Sequence, residues 1–505
     1  MDIYGARDLA GASDGSVYVA GSYTTSFSFG GGTLASDQEG AVFLARLGED
    51  LAMEWLLTIA ENQSASPDML AVSVEAGPDG SIVVAISFVG SLTVSGSMLA
   101  PDDGKGIVLL ELSAAGDLLW LREVDGDAIR RQGVATDSGG NILLTGSADG
   151  DVFVAKYDAF GNQVWWSAGG GASGADQTWA IGHDGFGNIY VVGSLISGGS
   201  AHFDPLTFTP PNGTYMVGFL VKYAITGAAE WVRYVHSQTF AQFSLISSVA
   251  FHNGDVYIAG QYSDAYLRFS NGGGNYGQQA PGSQRSFLAK YDSEGDLGWV
   301  RVPPYVGTGY DGAVGLTTDG TALHELIDFQ NLIGNDLGPV NSFGGHDLLL
   351  DRRDMDGVLT SSFHIGSAWN DVSNHVIYHA AHVYVLGATS GSSLTSPAEC
   401  SVALGSNMFI MRFLDTSVGL PAFEDEPALL LFPNPNDGVF TARVPRYTQH
   451  ISVTDALGRV VRHQPVRWAD GGVRIDLGGA SGGVYVVRVD GAGPGVTARV
   501  QVLPR

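Results

Sequence analysis

A hairpin that ends in tryptophan recurs along this chain, and this repetition constrains the fold more than any other feature. Residues 151–166, DVFVAKYDAFGNQVWW, form its clearest copy: an alternating apolar run enters a charged turn, and a second run returns to Trp165. Two such runs joined by a turn of Asp, Gly and Asn predict a β-hairpin. The other copies end at Trp55, Trp120, Trp231 and Trp299.

A second recurring pattern precedes each hairpin, a strand rich in Val, Ile and Tyr that follows an Asp-Gly turn or a variant of it. Each unit therefore has four strands and no helical periodicity, and one four-stranded sheet cannot bury both of its apolar faces alone. We predict an all-β protein whose residues 1–420 form a seven-bladed β-propeller, with the five tryptophans packed between blades. The seven second strands end at Gly21, Ile86, Gly146, Gly193, Gly260, Leu326 and Gly387.

The motifs GNIYVVG, at residues 187–193, and FVAKYDAFGNQVWW resemble a bacterial β-propeller repeat often called SBBP. The resemblance covers about residues 6–414, and it is clearest in the third, fourth and fifth units. The sixth unit reads HDLLLDRRDMDGVLTSSF, without a tryptophan and with Asp351 at an apolar position. We expect this unit to pack more loosely than the others.

The seventh unit ends after its third strand, NMFIMRFLDTSVGLP, without a tryptophan-bearing fourth strand. The opening residues, MDIYGARDLAG, align with the segment that leads into a first strand in the next unit. We therefore expect residues upstream of Met1 to supply the strand that closes the ring, together with a signal peptide. A stop codon directly upstream of Met1 in the gene would contradict this expectation.

The connection between the second and third strands is long in most units, whereas the third unit has only SADG there. Because neighbouring strands alternate in direction, this connection and the one between units emerge on the same face of a ring. Loops held by a rigid scaffold commonly carry binding residues. The sequence leaves two readings open, a binding face and filler of no function. The long connections are residues 22–40, 87–106, 194–217 and 261–285.

Charge excludes nucleic acid as a partner of the repeats. The net charge is −27, and from residue 428 onward nine Arg face five Asp, a local charge of +4 that leaves about −31 on the preceding part. Phosphate backbones are bound by clusters of Lys and Arg, which this part lacks. A single cysteine, Cys400, excludes an internal disulfide, and no apolar run reaches the ~18 residues of a transmembrane helix.

The character of the chain changes after residue 420. Residues 421–427 resemble a linker, and residues 428–505 contain seven short alternating strand patterns, which predict a small Ig-like antiparallel β-sandwich. Three motifs occur in order within it: FPNPNDGVF, ISVTDALGRVV and GGVYVVRV.

These three motifs resemble the type A C-terminal sorting domain, or Por secretion tail, of type IX secretion substrates. The resemblance implies that the type IX machinery and its sortase are partners, and that the protein is extracellular or on the outer-membrane surface. The motif positions are then recognition and fold residues: Pro433, Asn434, Pro435, Gly438, Asp455, Gly458, Gly483 and Tyr485.

The sequence offers no catalytic motif, and we assign no catalytic residue, metal ligand or cofactor. His375, His379 and His382 are the densest group of metal-capable side chains, but the repeat alignment places them on different strands. We predict a non-enzymatic binding or adhesion scaffold for an extracellular protein or glycan. The alternative is a polysaccharide hydrolase or lyase with carboxylates at the channel mouth. Converging carboxylates near the axis would favour catalysis, and an aromatic face would favour binding.

Overall fold

A computed structural model divides the chain into two compact units, Met1–Asp415 and Thr416–Arg505. The described residues contain strands and no helix, which confirms the all-β prediction. The structure describes residues 6–38, 40–62, 70–130, 132–171, 174–196, 199–210, 216–237, 242–263, 266–272, 274–276, 284–304, 310–390, 394, 400–405, 408–414, 430–432, 438–443, 448–455, 458–465, 473–491 and 496–503.

The described residues of the first unit form seven antiparallel sheets, numbered in chain order, each built on four strands. The core strands of the first three sheets are Ala6–Gly11, Val17–Tyr23, Gly40–Leu47 and Met53–Asn62; Ala71–Ala76, Ile82–Val89, Lys105–Leu112 and Leu118–Val124; and Val134–Thr136, Ile142–Ala148, Asp151–Tyr157 and Gln163–Gly170. Those of the fourth and fifth are Gln177–His183, Ile189–Ile196, Met216–Tyr223 and Ala229–Ser237; and Ser244–His252, Asp255–Tyr262, Arg285–Tyr291 and Leu297–Arg301. Those of the sixth and seventh are Tyr310–Thr318, Ala322–Ile333, Val340–Asp354 and Leu359–Ile365; and Asp371–His379, His382–Thr389, Met408–Leu414 and Cys400–Gly405.

The seven sheets stand in a closed cycle. The first strand of each sheet contacts the first strand of the next, and that of the seventh contacts that of the first. At one equivalent position these inner strands all carry an apolar side chain, and the seven side chains line one central cavity: Leu9, Val74, Val134, Ile181, Val249, Leu316 and Val376. This is a β-propeller fold, in which the sheets bury their faces against one another and the first strands surround the axis.

The turn sequence Asp-x-x-Gly-Asn explains the shape of each clear hairpin. In the third sheet, Asp158 Oδ1 accepts the backbone N–H groups of Phe160 at 2.9 Å and of Asn162 at 2.8 Å. The Asn162 side chain donates to Asp158 Oδ2 at 2.9 Å. Gly161 has a φ of 74°, a backbone conformation that is costly for a residue with a side chain. The side chain of Asp158 therefore holds the turn closed.

Most of the long connections form strands that extend the outer edge of the preceding sheet. Leu92–Val94 pairs with the fourth strand of the first sheet, where Glu61 lies opposite Thr93, and Ser97–Leu99 pairs with Leu92–Val94. The third sheet gains Ala201–Phe203 and Leu206–Phe208, the fourth gains Leu267–Phe269, and the seventh gains Ser26–Phe29 and Gly32–Ala35. These connections thus join neighbouring sheets by strand pairing, a structural role that the sequence did not indicate.

The seventh sheet has an unexpected outer strand. Cys400–Gly405, which precedes the third strand in the chain, pairs with it antiparallel, with Cys400 opposite Phe413 and Gly405 opposite Met408. Gly405 also pairs with Phe29 of the first-sheet connection. The position that we expected an upstream strand to fill therefore holds a strand of this chain. The sequence missed this strand because it lies within a connection.

The sixth sheet buries charge where the other sheets bury apolar side chains. Asp351 is 1% exposed, pairs with Arg353 at 2.9 Å and accepts the Ser362 hydroxyl at 2.5 Å. Arg353 also pairs with Glu325 at 3.0 Å, and burial raises the pKa of Glu325 to about 7. The expectation of loose packing is not met at Asp351, because an ionic network replaces the missing apolar contacts.

The second unit contains two sheets that share one apolar core. Phe440 and Ile475 contribute to this core from the smaller sheet, and Ile451 and Val487 contribute from the larger one. The smaller sheet comprises Leu430–Phe432, Val439–Arg443 and Val473–Asp476. The larger sheet comprises Val460–Pro465, Thr448–Thr454, Gly483–Gly491 and Val496–Val502. The linker expected at residues 421–427 lies outside the described residues.

Candidate functional site

The five repeat tryptophans lie on the fourth strands of the first five sheets, next to the last turn of the following sheet. A Cβ atom added to Gly161 would lie 2.8 Å from the ring of Trp120. A Cβ atom added to Gly227 would lie 2.7 Å from the ring of Trp165. The indole N–H of Trp165 donates to the carbonyl of Ile225 at 2.9 Å. The glycine of the turn thus makes room for the tryptophan of the preceding sheet.

The remaining three tryptophans repeat this arrangement. A Cβ atom at Gly357 would lie 2.7 Å from Trp299, and Trp55 lies beside Gly116. Trp231 is 9% exposed and donates to the carbonyl of Ser293 at 3.1 Å. An arginine two positions after several of the tryptophans stacks on the indole and donates to the same neighbouring turn: Arg122, Arg233 and Arg301.

The central channel contains a cavity of about 310 Å³ beside the seven apolar side chains. Asp8, Glu75, Gln132, His375 and His379 also line it. Converging carboxylates in this channel would therefore indicate catalysis.

Asp8 ties three neighbouring sheets together. Its Oδ1 lies 2.5 Å from His375 Nδ1, and its Oδ2 accepts the Ser73 hydroxyl at 2.6 Å and the Val74 N–H at 3.0 Å. Burial acts to raise the pKa of Asp8, but His375 and these hydrogen bonds together lower it below its ordinary value. At 1% exposure, with both oxygens engaged, Asp8 stabilises the ring and does not reach a ligand.

Glu75 is the carboxyl group that remains available to the cavity, since it is half-buried and its open side faces the channel. Enclosure by the surrounding chain, and then the negative charge of Asp8, raise the pKa of Glu75 to about 8. Glu75 is therefore mostly protonated at neutral pH and offers a neutral hydrogen-bonding group.

The raised pKa of Glu75 predicts a pH-dependent stability. The folded state retains a proton that the unfolded chain releases above its ordinary pKa of 4.5. The contribution is therefore fully present below that pKa and is lost as the pH rises through about 8. We expect Glu75→Gln to flatten the decline of melting temperature between roughly pH 5 and 9. The assignment would be contradicted if the melting temperature fell equally steeply with pH in the native protein and in Glu75→Gln. Glu54→Gln, a change at an exposed side chain, is the matched control.

The three histidines singled out in the sequence have different partners. His375 pairs with Asp8, whereas His382 lies 4.0 Å from Glu49 and also contacts the carbonyl of Ala380. Burial lowers the pKa of His379. Within the described ranges, no group of three His, Cys, Asp or Glu side chains is arranged to hold a metal ion.

Two aromatic side chains protrude from the face that carries the long connections. Phe343 is 51% exposed and Trp369 is 64% exposed. Their segments run side by side, since the N–H of Gly345 donates to the carbonyl of Trp369 at 3.1 Å. Phe343 stacks on His364 at 3.9 Å between ring centroids. His364 in turn bonds Asp347 at 2.7 Å, which also accepts the N–H of Phe343. The pair therefore forms a supported aromatic platform.

The sorting-domain motif positions that the structure describes are turn and core residues. Asp455 accepts the N–H of Arg459 at 3.0 Å and pairs with its guanidinium at 2.7 Å, and Gly458 has a φ of 77°. Gly438 has a φ of 102°. Gly483 begins a strand in which Tyr485, 6% exposed, donates to the Ser481 carbonyl at 2.8 Å. Pro433, Asn434 and Pro435 lie outside the described residues.

Comparison with known proteins identifies the C-terminal part. Residues 430–502 match the family model of the secretion system C-terminal sorting domain. This domain directs export by the type IX secretion system, so the protein is exported to the cell surface or the extracellular space and the type IX machinery is a partner. No helix of the described residues is long and apolar enough to cross a membrane.

The repeats have only distant relatives among the proteins found. An uncharacterized WD repeat-containing protein of Acanthamoeba polyphaga mimivirus is 26% identical over 175 residues, which cover 32% of this chain and 12% of that protein. The β-propeller domain of the trilobed protease of Pyrococcus furiosus is 7% identical, with a TM-score of 0.41, and the match covers 78% of this chain and 98% of that one. Lignostilbene dioxygenase of Pseudomonas brassicacearum is 12% identical, also with a TM-score of 0.41, over 80% and 89% of the two chains. Likenesses this low say nothing about ligand or activity.

Sequence reasoning singled out His375 and His379 of the channel lining but missed Asp8, Glu75 and the two platform residues. Asp8 and His375 occupy equivalent positions of the inner strands, where the second and fifth sheets carry Ser73 and Ser248. A charged residue at an aligned position that is otherwise small was therefore a usable signal. Phe343 and Trp369 lie in the sixth unit or next to it, where the repeat motif is most degraded, so alignment with the other units did not reveal them.

Proposed function

We propose that the first unit is a seven-bladed propeller of the SBBP type that acts as a non-enzymatic binding scaffold after export. The exposed pair Phe343 and Trp369 carries this proposal. The backbone segments that carry the two rings are hydrogen-bonded to each other, and both rings are more than half exposed, so they offer apolar surface at little entropic cost. Exposed apolar side chains that come from two adjacent segments, in contrast to single exposed ones, can form a patch of the kind that marks an interaction surface. The proposed ligand is an extracellular glycan, whose sugar rings have matching apolar faces.

In this proposal the second unit is the signal for export. We assign it an Ig-like sandwich that the type IX machinery recognises and that its sortase processes. The propeller then works outside the cell or on its surface, where polymers are the available ligands. In the channel, both oxygens of Asp8 are engaged by His375, Ser73 and Val74, which argues against Asp8 as the partner of Glu75 in an acid–base pair.

Loss of the platform is expected to weaken glycan binding strongly. An aromatic residue at the centre of an interface commonly contributes about 2 kcal/mol, which is roughly 30-fold in Kd. We expect Trp369→Ala to raise the Kd for a bound glycan by that factor, measured by calorimetry on a ligand taken from a glycan array. Phe186→Ala is the matched control, because Phe186 is 75% exposed in a turn on the opposite face. Equal effects of the two substitutions would contradict the proposal.

The alternative function, a polysaccharide hydrolase or lyase, has one observation in its favour. Glu75 faces the cavity with its pKa raised to about 8, which suits a general acid at neutral pH. Release of reducing ends from a polysaccharide panel, abolished by Glu75→Gln and retained in Trp369→Ala, would replace the binding proposal with this one. No turnover by either protein, with binding lost only in Trp369→Ala, is the result that we expect.

A further inference from the structure

A second cavity, of about 300 Å³, opens on the face of the long connections where the second, third and fourth sheets meet. Lys105, Ser147 and Gln177 line it, one from each of these sheets, together with Arg130 from the segment between the second and third. The position follows from the sequence. The third sheet turns from its second to its third strand through Asp149 and Gly150 alone, so no hairpin covers this place.

Arg130 and Lys105 are unusual among the cations of the first unit. In the part of the chain that the structure describes, neither side chain has an ion pair within 4.0 Å or a hydrogen bond. The other described Lys and Arg of this unit interact with carboxylates, with backbone carbonyls or with another group of the chain: Arg7, Arg46, Arg122, Lys156, Lys222, Arg233, Arg268, Arg285, Lys290, Arg301, Arg352, Arg353 and Arg412. Two cations without a carboxylate partner thus share one cavity in an acidic propeller.

The guanidinium of Arg130 is oriented by stacking. Its Cζ lies over the ring of Trp179, 5.3 Å from the ring centroid, so a cation–π contact restrains the group. Loss of hydration, and then the positive charge of Arg7, lower the pKa of Arg130 from its ordinary value.

The two carboxylates of the same lining are bonded to backbone amides. Asp127 accepts the N–H of Asp149 at 3.0 Å, and Asp176 accepts those of Gly171 at 2.5 Å and Ile196 at 2.8 Å. Asp127 remains an acceptor for hydroxyl groups, since a carboxylate has about four lone-pair sites. Asp176 is 2% exposed with both oxygens engaged, so its carboxylate is part of the wall of the cavity. The cavity thus offers cations for an acid group and an acceptor for hydroxyls, side by side.

We propose that this cavity binds an acidic sugar residue of an extracellular polysaccharide, with its carboxylate or sulfate on Arg130 and Lys105 and a hydroxyl on Asp127. This inference rests on the proposed glycan-binding function and names the ligand class. Arginine matches a planar carboxylate or a sulfate with paired hydrogen bonds. An acidic peptide is a poorer ligand, because it carries few hydroxyl groups for Asp127 to accept.

The test uses the full chain and three soluble polymers: polygalacturonate for carboxylate, dextran sulfate for sulfate, and dextran as the neutral reference. We expect Arg130→Gln to weaken binding of one or both acidic polymers about 10-fold or more, as expected for loss of a charge-assisted hydrogen bond. Comparison of the two acidic arms identifies the anion. Lys105→Gln should weaken binding of the same acidic polymer, and binding should fall with added salt.

Arg268→Gln is the control, since it makes the same change of charge on a long connection outside the cavity. Equal losses in Arg130→Gln and Arg268→Gln would overturn the inference, because the effect would then be a property of net charge. Binding of dextran through Trp369 with no preference for the acidic polymers would overturn it and leave the proposed function standing. No binding of any polymer or arrayed glycan would overturn both.

Discussion

Replacement of Asp311 by alanine is expected to destabilise the propeller by about 3–5 kcal/mol, because it removes the carboxylate that pairs with the buried guanidinium of Arg285. Asp311 is 0% exposed and Arg285 is 2% exposed, and their charged groups lie 2.5 Å apart. Asp311 also accepts the N–H and the hydroxyl of Ser286, at 2.6 and 2.8 Å. The pair joins the third strand of the fifth sheet to the first strand of the sixth.

Urea unfolding followed by tryptophan fluorescence measures this effect, because eight of the nine tryptophans lie in residues 1–415. A double variant, Arg285→Met with Asp311→Leu, is the control. Replacement of a whole buried ion pair by apolar side chains of similar volume is often neutral or stabilising. We expect the double variant to recover most of the loss. A single variant as stable as the native chain would mean that the pair is not closed in solution.

Truncation of Trp231 to alanine is expected to cost about 3–5 kcal/mol, the usual range for a buried tryptophan. Trp231 packs against Tyr190 at 5.9 Å between ring centroids and lies beneath the guanidinium of Arg233 at 5.0 Å. Its N–H group bonds the carbonyl of Ser293 in the fifth sheet. The substitution therefore removes packing within the fourth sheet and its contact with the next one.

Trp369→Ala is the matched control for stability. It removes the same side chain from an exposed position, where substitutions commonly change stability by no more than about 0.5 kcal/mol. Trp231→Phe should be intermediate, since it retains an aromatic ring and loses the hydrogen bond. Similar denaturation midpoints for Trp231→Ala and Trp369→Ala would show that the repeat tryptophans do not hold neighbouring sheets together.

The two proposed contacts on the face of the long connections have complementary chemistry. Phe343 and Trp369 offer apolar ring faces, while Arg130 and Lys105 offer positive charge to an acidic group. A polysaccharide with acidic residues could use both, and the single substitutions above separate their contributions. The face that the sequence indicated for its loops therefore remains the proposed binding face, although most of those loops serve the neighbouring sheet.

Local elements of this protein were readable from the sequence. The Asp158 turn follows from an acidic side chain that caps backbone N–H groups and from a glycine that tolerates a positive φ. Alternation of apolar residues defines the strands, and the order of the C-terminal motifs pointed to the sorting domain that residues 430–502 match. Each turn, strand or motif is a short local pattern, so it can be recognised without knowledge of the rest of the chain.

Contacts between sheets were decided by the tertiary structure. Asp8 meets His375 only because the seventh sheet contacts the first, and Cys400–Gly405 becomes an outer strand only because an edge is free beside it. Arg130 and Lys105 come together because one short turn leaves a gap among three sheets. A hairpin's register depends on its own turn, whereas contacts across the ring depend on closure, which unites residues far apart in sequence and leaves no local pattern.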